Sequence, residues 1–295
     1  MPYHNQLWAK KESCAHLHKQ KECLGFSFMH EAMVGWFIAF SGMFAALTGT
    51  LAGFGTSAAL LPLLLFALPF SAALPVAAIA HLTNDVLKIA SAPRSIHWLF
   101  VAISAPVSFI SALVTGWGLS KFISTDKAEI VALVLMAIGV LLSVALSRHT
   151  INAEIGAHNT QDHSPPLVRI GALSALAGTL SAISGVGNIL LAPLAMRWLP
   201  QATAFIATTG AVSALTNLGR LQGYLLGGVQ VFSNIALFVA WAIAGVLVGF
   251  LIGRYWLQRQ EQKTQPRAFS LRACAFIGVV VIVLFEISNA VLHLR

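Results

Sequence analysis

Residues 32–80 contain no Asp, Glu, Lys, Arg or His, and the same is true of 98–120, 170–196, 198–219 and 221–253. A helix crossing a hydrocarbon core of ~30 Å needs about 20 apolar residues, so each run is long enough to span. Large buried helices of a water-soluble protein would carry charged outer faces, and none is present. The pattern predicts an all-α integral membrane protein with about ten apolar helical segments. In the first half they lie at 33–52, 57–68, 70–90, 97–119 and 130–147. In the second they lie at 168–184, 189–199, 201–221, 231–253 and 272–292.

The halves resemble each other. Gly53-Phe-Gly55-Thr56 recurs as Gly185-Val-Gly187-Asn188 after 132 residues, and Pro62 and Pro193 follow at nearly matching places. The same shift lays Asp85 on Asn217 and Lys88 on Arg220. Duplication divides the chain into a polar tail (1–31), a first membrane repeat (32–148), a linker (149–168) and a second membrane repeat (169–295). An odd number of crossings per half would make the repeats inverted. The second segment of each half is short and sits behind a glycine pair. Such interrupted segments at matching places point to a binding site near the midplane.

Composition agrees with lipid as the solvent. Hydrophobic residues make up 57% and charged residues 9%, against roughly 25% charged in soluble domains. The net charge of +8 does not indicate nucleic acid, because no basic stripe with interleaved aromatics appears. Basic residues gather between apolar segments instead, most densely at Arg254, Arg259, Lys263, Arg267 and Arg272. Trp98, Trp117, Trp198 and Trp256 lie near segment ends, where amphipathic rings favour the headgroup layer. Cys14, His16, His18 and Cys23 in the tail are spaced too loosely for a structural zinc site. Neither metal nor cofactor is expected. No apolar stretch precedes Ala32, so a cleaved signal peptide is not expected either.

Helices that restart just after Gly55 and Gly187 aim free N–H groups and positive dipole ends inward, an arrangement suited to anions. Gly53, Gly55, Gly185 and Gly187 form the breaks, and Thr56, Ser57 and Asn188 add side-chain donors. The alternative is that these glycines only permit close helix packing. His81, Asp85 and Lys88 share one helical face at i, i+4 and i+7. Ionisable groups within a membrane segment are functional candidates by default. Lys88 and Arg220 are candidate anion attractors, and Asn217 stands beside Arg220. Snorkelling to the headgroups is the alternative for both cations.

A helix, a Gly-x-Gly break, a short helix with proline and an Ala/Thr-rich helix, repeated twice, resemble the sulfite exporter TauE/SafE family. The likeness covers roughly 33–292 and is clearest at 53–62 and 185–193. The stretch from Ala202 through Thr209 to Gly210 resembles the family's helix after the second break and brings Thr209 among the site candidates. Where the family often has adjacent glycines, this chain has Thr56-Ser57 and Asn188-Ile189.

The resemblance implies a multi-pass transporter of a bacterial-type plasma (inner) membrane for small sulfur-containing anions such as sulfite or organosulfonates. Expected partners are a small anionic substrate, the lipid bilayer and, as an option, further copies of the chain in a homo-oligomer. There is no Walker-type Gly-x-x-x-x-Gly-Lys-Ser/Thr sequence for ATP. The competing class is an intramembrane enzyme acting on a lipid-linked phosphate. It would need an acid/base pair or nucleophile set, and no Cys–His or Ser–His–Asp order suggests one.

Overall fold

The computed structural model describes residues 19–52, 56–121, 167–185, 187–199, 201–229 and 235–261, together with a few isolated helical positions between 131 and 138. Eight α-helices occupy them: α1 (Lys19–Ala52), α2 (Thr56–Leu65), α3 (Phe70–Ser91), α4 (Trp98–Ser120), α5 (Leu167–Ser184), α6 (Gly187–Trp198), α7 (Ala202–Leu226) and α8 (Ala236–Glu261). A 3-10 turn, Pro93–Ser95, joins α3 to α4. The first four segments of each half are thus helices. The fifth of each half, 130–147 and 272–292, falls outside the described residues apart from those isolated positions. One boundary differs plainly: α1 begins at Lys19, well inside the polar tail.

Among the described residues, five helices are long and apolar enough to cross a membrane: Ala32–Leu51 of α1, Phe70–Ser91, Trp98–Ser120, Leu167–Ser184 and Ala236–Arg259 of α8. The chain is a multi-pass membrane protein, and its surface is arranged accordingly. Phe40, Leu99, Ile110, Val114, Leu247 and Leu251 are exposed, whereas Ser41, Thr50, Ser104, Ser108, Ser174 and Ser181 are buried. Water would drive the opposite distribution. Trp98, Trp117 and Trp256 are exposed near helix ends, as an interfacial belt requires. Trp198 is not part of that belt. It is half-buried and meets His97 and Phe100 edge-on, with ring centroids 5.9 and 5.8 Å away.

α2 and α6 have 10 and 12 residues, or roughly 15 and 18 Å at 1.5 Å per residue, only part of the hydrocarbon thickness. Each folds against the helix before it. A side chain at Gly49 in α1 would overlap the Thr56 hydroxyl at the head of α2. In the second half, a side chain at Gly187 would overlap the Ala177 carbonyl of α5.

The most extensive packing joins α1 to α8 and α4 to α7, and α5 also packs on α4, so the first helix of each half meets the fourth helix of the other. The third helices, α3 and α7, meet each other. Lipid provides no hydrophobic drive for such pairings, so close backbone approach through small residues matters. Gly245 and Gly249 of α8 lie on the Ala39 and Met43 carbonyls of α1, and Gly219 and Gly223 of α7 lie on the Phe109 and Leu113 carbonyls of α4.

Candidate functional site

The centre of the bundle is the crossing of α3 and α7. Leu74 meets Arg220, His81 and Asp85 meet Ser213 and Asn217, and Lys88 lies against Gly210. Position numbers rise along one helix as they fall along the other, so the two run antiparallel. His81, Asp85 and Lys88 face α7 because one helical stripe carries all three, and all are buried.

The polar contacts here are dense. Ser213 donates its hydroxyl to Asp85 Oδ2. Asn217 Nδ2 lies 3.3 Å from the same oxygen and 3.1 Å from His81 Nδ1. It also lies 3.0 Å from the Ser213 carbonyl. Asp85 Oδ1 stands 3.6 Å from Lys88 Nζ and 3.7 Å from His81 Nε2. Neither cation snorkels: Lys88 is 2% exposed and Arg220 0%.

Arg220 is held differently from Lys88. Its Nε donates to Tyr224 Oη at 2.8 Å, and one terminal nitrogen reaches the Leu74 carbonyl at 3.4 Å. Tyr224 in turn donates to the Ala182 carbonyl, three residues before Gly185. The pair therefore ties α3 to the end of α5 at the second helix break. The other terminal nitrogen, Nη1, is buried with no hydrogen-bond partner, and no carboxylate lies at ion-pair distance from Arg220 among the described residues.

The second break is described at its glycines. Gly185 has φ 76°, the left-handed region that disfavours side chains. Gly187 is the first residue of α6 and is held by packing on α5. Ile183 packs against the core cluster that contains Leu60, Leu61 and Leu64 of α2. Gly53 and Gly55 lie outside the described residues, as do the side chains of Ser57 and Asn188. Thr56 opens α2 and accepts a 2.9 Å hydrogen bond from Asn84 Nδ2, one residue from Asp85. Thr209 is buried, and its hydroxyl donates to the Phe205 carbonyl one turn back at 2.7 Å.

Sequence reasoning therefore pointed to His81, Asp85, Lys88, Asn217 and Arg220 in one region, with Thr56 reaching it through Asn84. It missed Ser213 and Tyr224. Ser213 was available, since it lies 132 positions after His81. Tyr224 was visible as the i+4 partner of an intramembrane arginine. No cluster of His, Cys, Asp and Glu able to hold a metal occurs among the described residues.

Comparisons with known proteins agree with this architecture at the level of family. No curated protein and no solved structure matches the chain. The family model of the sulfite exporter TauE/SafE matches residues 38–284, most of its length. Helices that cross the membrane, short helices behind glycine breaks and a match of that extent lead to one conclusion: the chain belongs to the sulfite exporter TauE/SafE family, a family of membrane transporters.

Proposed function

We propose that the protein is a secondary carrier of small anions, sulfite or organosulfonates, in the plasma membrane, and that it holds its substrate between the two helix breaks. Arg220 is the observation that carries this reading. A guanidinium with no exposure, an unsatisfied Nη1 and no carboxylate partner among the described residues is a charge that lacks its counter-charge there. Burying an ion in low dielectric costs several kcal/mol unless it is paired and hydrogen-bonded. Asp85 cannot serve both cations, since its carboxylate already lies beside Lys88. A bound anion is the natural partner of Arg220. The heads of α2 and α6 add backbone donors and positive dipole ends.

The contact pattern supports inverted repeats with a pseudo-two-fold axis in the membrane plane. Exchanging the halves turns the His81–Asn217 contact into the Ser213–Asp85 contact, and both occur. Equivalent helices would run parallel about an axis along the membrane normal, whereas α3 and α7 run antiparallel. Alternating access would then arise from one half rocking against the other around a fixed site.

The test is thermal unfolding of the purified protein with sulfite, sulfate, thiosulfate, taurine or sulfoacetate. A ligand at a hundred times its Kd stabilises by about 2.7 kcal/mol. At least one sulfur anion should raise the unfolding temperature of the wild type above a chloride control of equal ionic strength, and Arg220→Gln should lose that rise. Equal stabilisation of the two proteins would overturn the assignment.

A further inference from the structure

We propose that the crossing of α3 and α7 is also a proton site, and that His81 and Asp85 take up a proton as the anion reaches Arg220 and Lys88. This rests on the anion-carrier reading. It follows from how hydrogen-bonding capacity is distributed at the crossing.

Asn217 Nδ2 has two protons and four acceptor atoms in reach: His81 Nδ1 at 3.1 Å, Asp85 Oδ2 at 3.3 Å, the Ser213 carbonyl at 3.0 Å and Ser213 Oγ at 3.4 Å. At most two are served at once. Asn217 Oδ1 meanwhile is buried without a partner, as is Asp85 Oδ1 so far as hydrogen bonds are concerned. The crossing therefore holds two buried acceptor oxygens that lack a donor. Neutral His81 has one N–H and can serve only one of these oxygens. An added proton gives the ring two, Nδ1–H for Asn217 Oδ1 once the amide turns over and Nε2–H toward Asp85 Oδ1, 3.7 Å away. Leaving buried acceptors without a donor costs free energy, which favours the arrangement that supplies one.

A metal cation is a poor occupant of the same place, because the Lys88 ammonium already stands 3.6 Å from Asp85 Oδ1. Among the described residues the surroundings add no other charge. On α3 the neighbours are Lys88 and the His81–Asp85 pair itself, and α7 contributes Ser213, Asn217, Arg220 and Tyr224. The 32–52 part of α1 and all of α2 carry no charged residue. The charges of α8, Arg254, Arg259 and Glu261, fall in its last turns, and both arginines are exposed.

Coupling follows from Coulomb's law. An anion at Arg220 and Lys88 offsets the positive charge around His81 and Asp85, so protonation there becomes easier. By linkage a proton at the crossing tightens the anion by the same factor. With one proton per anion, apparent affinity rises as pH falls, by up to about tenfold per pH unit.

The experiment uses the full chain in proteoliposomes, with the membrane potential held at zero by valinomycin and equal potassium, and pyranine trapped inside. The probe is 2-hydroxyethanesulfonate, whose sulfonate stays ionised across the assay range, with sulfite as the second anion. Entry of the sulfonate should acidify the lumen, and an inward gradient of one pH unit should drive about tenfold accumulation. In Asp85→Asn and His81→Gln, the entry that remains should lose its response to external pH. Saturable entry without acidification or accumulation overturns the proton site and leaves anion carriage standing. A pH response that persists in both folded variants overturns its assignment to this cluster. Absence of saturable entry for either anion overturns the carrier reading itself. The wild-type pyranine trace still tests the proton site if neither variant folds.

Discussion

Ser213 on α7 donates its hydroxyl to Asp85 on α3, and the residue 132 positions before Ser213 is His81, one turn from that same Asp85. Asn217 bears the same 132-residue relation to Asp85 and stands beside His81. Two pairs of positions related by the same 132-residue shift thus meet at one crossing. They differ in chemistry, His and Asp on α3, Ser and Asn on α7. α3 holds the groups that can titrate, and α7 supplies neutral donors that hold them.

Ser213→Ala removes a donor from a buried carboxylate and leaves no replacement of the same reach. Hydrogen bonds to charged groups contribute about 1.5–3 kcal/mol. We expect Ser213→Ala to lower the unfolding free energy by about 2 kcal/mol, measured in detergent under conditions of reversible unfolding. Ser213→Thr, which keeps the hydroxyl, should recover part of that loss. Equal stability of the Ala variant and the wild type would show that the contact contributes nothing.

Tyr224→Phe tests the link between Arg220 and the second break. The change deletes the acceptor of Arg220 Nε and the donor to the Ala182 carbonyl while keeping the ring. The buried guanidinium then loses a fixed orientation as well as a partner. Half-saturation for sulfite uptake should rise several-fold, and stability should fall by about 1–3 kcal/mol. Unchanged half-saturation would mean that Arg220 finds its orientation without Tyr224.

The α1–α8 pairing depends on backbone contact. Gly249→Leu drives a side chain into the Met43 carbonyl, whereas at Gly171 on α5 an added side-chain carbon meets nothing within 4 Å. Overpacking a tight contact costs about 1–3 kcal/mol or more. Gly249→Leu should sharply reduce monodisperse protein on size exclusion, and Gly171→Leu should leave the yield unchanged. Similar yields for both would remove the glycine contact as the basis of that pairing.

Much of the helical layout was legible in the sequence because uncharged runs and Gly/Pro punctuation directly report helix lengths and breaks. The second break read as Gly-x-Gly for good reason: Gly185 has positive φ, and Gly187 sits on the α5 backbone. That geometry changes one expectation. Gly187→Leu would be expected, from the sequence, to leave insertion intact and abolish transport alone. Its side chain would strike the Ala177 carbonyl, so the variant would also fail by packing. Helix pairing was not legible, because apolar segments in lipid look alike from every face. The four-residue spacing of Gly245, Gly249 and Gly253 was the available signal for which side of α8 meets a neighbour. Lys88 and Arg220 stood out as ions amid apolar sequence, but their burial depended on tertiary contacts. Only the crossing of α3 and α7 separates an inward charge from one that reaches the headgroups.

The central claim, that a carried anion is the counter-charge of Arg220, is tested most directly by counterflow. Proteoliposomes loaded with unlabelled sulfite are diluted into a trace of labelled sulfite, and the outward gradient of unlabelled sulfite drives label inward with no other energy source. Wild-type protein should show a transient accumulation of label. Arg220→Lys should retain part of it, and Arg220→Gln, at equal reconstituted amount, should reduce it at least tenfold, since removing one partner of a buried ion pair costs about 3–5 kcal/mol. Counterflow by Arg220→Gln with the amplitude and half-saturation of the wild type would contradict that claim.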